Sequence, residues 1–188
     1  SHANNAGYQC GGWTQGWTGK SGSIAGATTI QAGFDEVASG SRVYSADEAD
    51  VIVYVIGEVP YAEWLGDFRS GDFNDKFITS AAYAGNQFGS TSQDLSKIQN
   101  WKNSGKEVLV VLITGRPLPI TSLIESSSAF VVAWLPGSEG AGVADVLFGD
   151  VKPTGKLPHT WPKDASQIPI NEGDGKEGLY PYGYGLTY

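Results

Sequence analysis

The chain has 188 residues, of which 40% are hydrophobic and 17% charged, a composition typical of a globular domain and not of a disordered segment. Its formal net charge of −8 argues against a nucleic-acid or anionic-membrane partner, because a phosphate backbone is met by Lys and Arg. No apolar run approaches the roughly 20 residues of a membrane span. The single cysteine, Cys10, excludes an internal disulfide and favours a buried, inert thiol.

The first quarter of the chain predicts a long loop followed by a helix. Residues 1–27 are rich in Gly and carry tryptophans, which is typical of a shaped loop. Residues 28–38 predict a helix, because apolar residues recur at helical spacing and Thr28 or Thr29 is placed to cap it. Residues 42–44 are a candidate short edge strand.

A buried strand and a second helix follow. Residues 51–57 are an almost continuous β-branched run, which indicates a strand buried on both faces, as in a parallel sheet. A polar, Gly-broken stretch of about 30 residues comes next, and a loop of that length usually has a function or hides an element. Residues 93–103 predict the next helix.

The second half of the chain repeats the alternation. Residues 107–113 and 129–135 predict two further buried strands. Residues 139–148 predict a helix that ends at Gly149, and residues 155–161 predict one more strand. Buried strands alternating with helices predict an α/β fold: a mostly parallel open sheet with helices on both faces, an αβα sandwich with flavodoxin-like layering.

Open parallel sheets bind ligands beyond the carboxyl ends of their strands, so the loops at those ends are the first candidates for chemistry. The loop that follows residues 51–57 holds three carboxylates, Glu58, Glu63 and Asp67. A carboxyl beside aromatic residues can be desolvated, which raises its pKa and suits it to exchange a proton near neutral pH. The alternative is that these carboxylates are solvated or cap a helix.

Other chemistries find little support in the sequence. The Gly-rich segment 137–142 has no Lys after its glycines and does not match a phosphate or dinucleotide loop. His2 and His159 are the two histidines, and with one Cys they argue against a metal site; His159 is interpreted as a packed or surface residue. No nucleophile elbow for a Ser-His-Asp triad is present. We therefore expect no metal and no cofactor.

Short motifs occur through the whole chain in a fixed order. They are Ser1-His2-Ala3-Asn4-Asn5, Gln9-Cys10-Gly11-Gly12-Trp13, Gly115-Arg116-Pro117, Trp134-Leu135-Pro136-Gly137-Ser138-Glu139-Gly140, Leu147-Phe148-Gly149-Asp150, Pro153-Thr154-Gly155-Lys156-Leu157-Pro158 and Tyr182-Gly183-Tyr184-Gly185-Leu186. Together they resemble the second domain of family 3 glycoside hydrolases, in the exo-β-glucanase and β-glucosidase branch. The resemblance covers residues 1–188, so we expect one such domain and a longer parent chain.

The resemblance implies an enzyme whose active site lies between this α/β sandwich and a (β/α)8-type first domain that supplies an Asp nucleophile. In that branch the acid/base is a Glu in a segment like Gly-Glu-x-Pro-Tyr-x-Glu. The matching segment is residues 57–63, and the matching position is Glu63. The implied reaction is retaining, exo-acting hydrolysis of a β-glucoside or β-glucan. The isolated chain is expected to be inactive, because it holds half of the carboxylate pair.

The same resemblance implies an aromatic platform for the sugar. The family's second-domain ring lies in a Gly-Trp-Thr-x-x-Trp segment, in which the matching residue is Trp17. Trp13 and Trp64 are further candidates for substrate contact, with packing beneath the loop as the alternative for Trp13. Where the family has Thr-Lys-Gly-Asp after the Glu, this chain has Trp64-Leu65-Gly66-Asp67.

Two alternatives stay open at this point. The chain could be a non-catalytic sugar-binding α/β module, which would keep Trp17 and not need Glu63. Alternatively the first domain could supply the acid/base through a His/Asp pair, as in some family members, which would make Glu63 a binding residue. The family resemblance also implies a periplasmic or secreted location.

Overall fold

The computed structural model describes residues 2–11, 21–58, 60 and 91–187. Three strands, β1 (Val51–Gly57), β2 (Glu107–Ile113) and β3 (Ala129–Trp134), form the sheet of this part of the chain. The helices there are α1 (Ala6–Gln9), α2 (Ile30–Val37), α3 (Thr91–Asn103), α4 (Thr121–Ser126) and α5 (Gly140–Phe148), followed by a 3₁₀ turn at Ala165–Gln167.

The three strands are parallel and lie in the order β1-β2-β3. The β1–β2 register is unbroken, with Val51 opposite Glu107 and Gly57 opposite Ile113. The β2–β3 register shifts by one residue after Leu112. The strand bounds predicted for β1 and β2 are confirmed, and β3 ends one residue earlier than predicted. The continuous apolar runs therefore predicted this part of the sheet because both of its faces are buried.

Helices cover both faces of the sheet. Alternate strand residues point to opposite sides, so each strand contributes to two separate cores. Helices α3 and α4 pack on one face, over Tyr54, Ile56, Val108, Val110 and Leu112. Helices α2 and α5 pack on the other, over Val55, Val111 and Ile113. The predicted αβα sandwich is confirmed.

The helix ends follow local chemistry. Thr29 caps α2, because its hydroxyl accepts a hydrogen bond from the N–H of Ala32 at 3.1 Å. Gly149 ends α5 in the left-handed region, with φ of 89°, as predicted. Helices α1 and α4 were not expected from the sequence, since each has fewer residues than periodicity can reveal.

The predicted strand at residues 42–44 is wrong. Tyr44 is 88% exposed and Val43 is 42% exposed, so a strand here would gain little stability from burying its side chains. Arg42 instead pairs with Asp35 of α2, and its guanidinium lies 4.7 Å from the centre of the Tyr44 ring. The segment is a surface connection.

The strand predicted at residues 155–161 is also absent, and only an isolated antiparallel bridge joins Trp161 to Tyr180. Residues 157 and 161 do exchange backbone hydrogen bonds with the chain's tail, as in the 2.7 Å bond from Leu157 N–H to Tyr184 O. The chain bends at residues 158 and 159, between these two contacts. A regular ladder therefore does not form.

A buried polar cluster joins β1 to α3. The Tyr54 hydroxyl donates to the Asp94 carboxylate, and Lys97 Nζ lies 3.3 Å from the same hydroxyl. The Tyr54 ring packs edge-on against Trp101, with centroids 5.1 Å apart. Burial raises the pKa of both Tyr54 and Asp94, and the hydrogen bond from Tyr54 partly offsets the effect on Asp94. The Tyr54 hydroxyl and Oδ1 of Asp94 therefore have the hydrogen-bond partners that buried polar atoms require.

Helices α2 and α5 approach each other at glycines. A Cβ at Gly140 would lie 2.6 Å from the carbonyl oxygen of Thr28 and 2.5 Å from the carbonyl carbon of Thr29. A Cβ at Gly33 would lie 2.6 Å from the Cα of Ala141. No L side chain fits these positions without separating the two helices.

Replacing Gly140 by Ala is expected to lower the free energy of unfolding by about 1–3 kcal/mol, because backbone atoms must move to admit the methyl group. Gly142 is the matched control, since it lies in the same helix and a Cβ there meets nothing within 4 Å. Gly142→Ala should be neutral or stabilising by about 0.5–1 kcal/mol. Urea unfolding of the full-length variants measures both, and equal effects would contradict the close approach.

Candidate active site

The carboxyl ends of the three parallel strands meet at one edge of the sheet. Glu58 follows β1 directly, Thr114 follows β2, and residues 135–139 connect β3 to α5. Because the strands are parallel, these three connections open on the same side. This edge is the candidate site, as the sequence predicted.

Glu58 is the buried centre of a polar cluster at this edge. Its Oε1 accepts a hydrogen bond from Arg116 Nε at 2.9 Å and a second from Arg116 Nη2. Its Oε2 accepts from the Thr114 hydroxyl at 2.6 Å. Glu58 is 5% exposed and Thr114 is 1% exposed. The cluster ties the connection after β1 to the connection after β2.

This geometry argues against Glu58 as the proton donor among the three carboxylates that the sequence offers. A general acid must present a protonated oxygen to the substrate, whereas both oxygens of Glu58 accept hydrogen bonds from other side chains. Glu58 therefore acts as a hydrogen-bond acceptor that holds the two connections together.

Gln9 joins three separate segments beneath the same edge. Its Nε2 donates to the carbonyl oxygens of Thr28 and Gly137, both at 3.1 Å. Its Oε1 accepts from the N–H of Ile30 at 3.0 Å, and its own carbonyl accepts from the N–H of Gly137 at 2.9 Å. Gln9 has no exposed surface. The sequence showed Gln9 as part of a motif but did not reveal this role, since its partners are far away along the chain.

Strand β3 ends in an unusual backbone conformation. Trp134 has a φ of 54°, in the left-handed region that residues other than glycine rarely adopt. Its ring lies 5.7 Å from that of Trp161, and its carbonyl accepts from the N–H of Thr114 at 3.1 Å. Trp134 and Trp101 both pack against the core under α3 and α4.

The four predicted site residues, Glu63, Trp13, Trp17 and Trp64, lie outside the described residues. Two described segments lead toward them. Glu58 begins the connection that continues to Glu63 and Trp64. Gln9 fixes the segment that continues to Trp13 and Trp17.

The histidines and the cysteine are not assembled into a site. Within the part of the chain that the structure describes, no three His, Cys, Asp or Glu side chains come together as metal ligands. His2 packs against Tyr8, and burial lowers its pKa to about 4. His159 is exposed, in agreement with a surface residue. Cys10 is half-buried, less than expected, and burial raises the pKa of its thiol, which disfavours the thiolate.

No helix in the described segments is long and apolar enough to cross a membrane.

The family model of the glycosyl hydrolase family 3 C-terminal domain matches residues 1–188. The chain belongs to this family. The resemblance that the motifs indicated is thus confirmed over the whole chain.

Relatives of this family 3 domain carry the names of β-glucosidases, β-xylosidases and an exo-glucanase. A periplasmic β-glucosidase from Salmonella typhimurium is 34% identical over 78% of this chain and 20% of its own length. A lysosomal β-glucosidase from Dictyostelium discoideum is 33% identical over 87% of this chain and 18% of its own. The crystal structure of an exo-1,3/1,4-β-glucanase from a Pseudoalteromonas species superposes on the entire chain with a TM-score of 0.80, at 34% identity, and the match covers 24% of that protein. The chain thus spans about a fifth of the length of these two curated relatives.

Proposed function

We propose that this chain is the second domain of a retaining, exo-acting β-glucosidase or β-glucanase, to which it contributes Glu63 as the acid/base. The observation that carries the proposal is the position of Glu58. It begins the connection that holds the rest of the family segment 57–63, at the carboxyl edge of the sheet, where α/β folds bind ligands. Since Glu58 is committed to Arg116 and Thr114, it leaves the proton transfer to another carboxylate of the segment.

The rest of the enzyme is part of the proposal. A first domain of (β/α)8 type supplies the Asp nucleophile, and the cleft between the two domains holds the sugar. Asp attacks the anomeric carbon while Glu63 protonates the leaving oxygen. Glu63 then takes a proton from the water that releases the glycosyl-enzyme. The two carboxyl groups of such a pair lie about 5–5.5 Å apart.

Substrate contact is proposed for the three tryptophans. Trp17 is proposed to cover the apolar C–H face of a glucose unit, and Trp13 and Trp64 are further candidates for contact with the substrate. The names of the relatives, two β-glucosidases and an exo-1,3/1,4-β-glucanase, support a β-glucoside or β-glucan as substrate. The periplasmic relative supports a periplasmic or secreted location.

Stereochemistry tests this reaction class directly. Proton NMR of the sugar first released by the full-length protein should show the β anomer, with the α anomer appearing later by mutarotation. Immediate release of the α anomer would rule out a retaining mechanism. The isolated domain, residues 1–188, should release no sugar because it lacks the nucleophile, and measurable turnover by it would contradict the shared site.

A further inference from the structure

The ion pair between Glu58 and Arg116 is buried. The side chain of Glu58 is 4% exposed and that of Arg116 is 13% exposed. Taking both charges out of water is costly, and well-packed apolar residues at such a position are often equally or more stabilising. What an ion pair adds is orientation, because charge-assisted hydrogen bonds hold their partners in one geometry.

The pair fixes the point at which the chain leaves β1. The N–H of Glu58 donates to the carbonyl oxygen of Ile113 at 3.1 Å, which extends the β1–β2 ladder by one residue. The side chain of Glu58 reaches Thr114 and Arg116 in the next connection. Glu58 is therefore held by both its backbone and its side chain, five positions before Glu63.

We propose that Arg116 is a positioning residue for proton transfer, acting through Glu58 on the sequence segment that contains Glu63. The inference rests on the proposed function, in which Glu63 is the acid/base. The Nε and Nη2 atoms of Arg116 converge on one oxygen of Glu58 and so fix its carboxylate in orientation as well as in place. A lysine would keep the charge but act as a compact ammonium without this geometry.

Leaving-group dependence separates positioning from a purely structural role. Arg116→Lys in the full-length protein is tested on a β-1,3-linked glucose disaccharide, whose leaving group needs a proton, and on 2,4-dinitrophenyl β-glucoside, whose leaving group does not. We expect kcat/KM for the disaccharide to fall by about 10- to 100-fold, the effect of misplacing a catalytic group by about 1 Å. The aryl glucoside should be little affected.

Lys102→Met is the matched control. Lys102 pairs with Glu107 at 3.4 Å, at the opposite end of the same strand, β2. Removing that exposed pair should change neither substrate, since surface ion pairs contribute little. A second variant, Glu58→Gln with Arg116→Gln, removes both charges together and leaves none unpaired. It should show the same selective loss and provides the answer if Arg116→Lys does not fold.

The outcomes divide clearly. A selective loss on the disaccharide in folded protein supports positioning. Equal losses on both substrates, no loss on either, or failure of both variants to fold would overturn it, because the pair would then be structural. Glu63→Gln distinguishes this result from a failure of the proposed function. If Glu63→Gln is selective and the Arg116 variants are not, positioning alone fails; if Glu63→Gln is not selective, both fail.

Discussion

Replacement of Glu63 by Gln in the full-length protein is expected to lower kcat/KM for a β-1,3-glucan by about 10²- to 10⁴-fold, the usual contribution of general acid catalysis. The glutamine has nearly the same shape but no proton to give to the leaving oxygen. An aryl glucoside with a good leaving group should still react in the first step, so that the glycosyl-enzyme accumulates as a burst. Stopped-flow measurement of the released aryl group reports both rates.

Azide provides the second half of this test. It needs no general base, so it should restore turnover of the Glu63→Gln glycosyl-enzyme and yield the β-glucosyl azide. Glu36→Gln makes the same change of charge on the exposed surface of α2 and should behave like the unaltered protein. Undiminished glucan hydrolysis by Glu63→Gln would instead favour a His/Asp pair of the first domain, or a binding role for Glu63.

Replacement of Gln9 by Ala is expected to destabilise the domain by about 3–5 kcal/mol. The change removes the hydrogen bonds of Gln9 to the buried N–H of Ile30 and to the carbonyl oxygen of Gly137, and a buried group left without a partner costs about 1–3 kcal/mol. The carbonyl oxygen of Thr28 keeps its hydrogen bond from the N–H of Gly140. A cavity in place of the side chain adds to this cost. The thermal midpoint of the full-length variant should fall accordingly.

Hydrogen exchange localises the effect. The amide of Ile30 donates to Gln9 Oε1 and should exchange much faster in Gln9→Ala. Gln167 is the matched control, because its side chain also bonds to backbone groups, the N–H of Lys163 and the carbonyl of Glu177, but at exposed positions where water replaces it. Similar destabilisation by Gln167→Ala would show that burial of Gln9 is not the cause.

Much of the fold could be predicted because a strand that is buried on both faces of the sheet has a continuous run of apolar residues in the sequence. Strands β1 and β2 appear as uninterrupted apolar runs, and α5 appears as a periodic segment with its own stop signal, Gly149. The two wrong strands, at residues 42–44 and 155–161, have suitable residue types. A strand also needs a partner with free donors and acceptors, and no local pattern reports whether that partner exists.

The candidate site likewise has features that the sequence predicts and features that only the structure reveals. The family motif singled out Glu63 from the three carboxylates of its loop, and a motif is a property of neighbouring residues in the sequence. The engagement of Glu58 by Arg116 joins positions 58 residues apart, and the contact of Gln9 with Gly137 joins positions 128 apart. By itself the sequence determined the buried strands, most of the helices and the candidate acid/base. Only the tertiary structure decided which polar side chains are committed to holding the loops, because hydrogen-bond partners distant along the chain are chosen by the packing of the sheet.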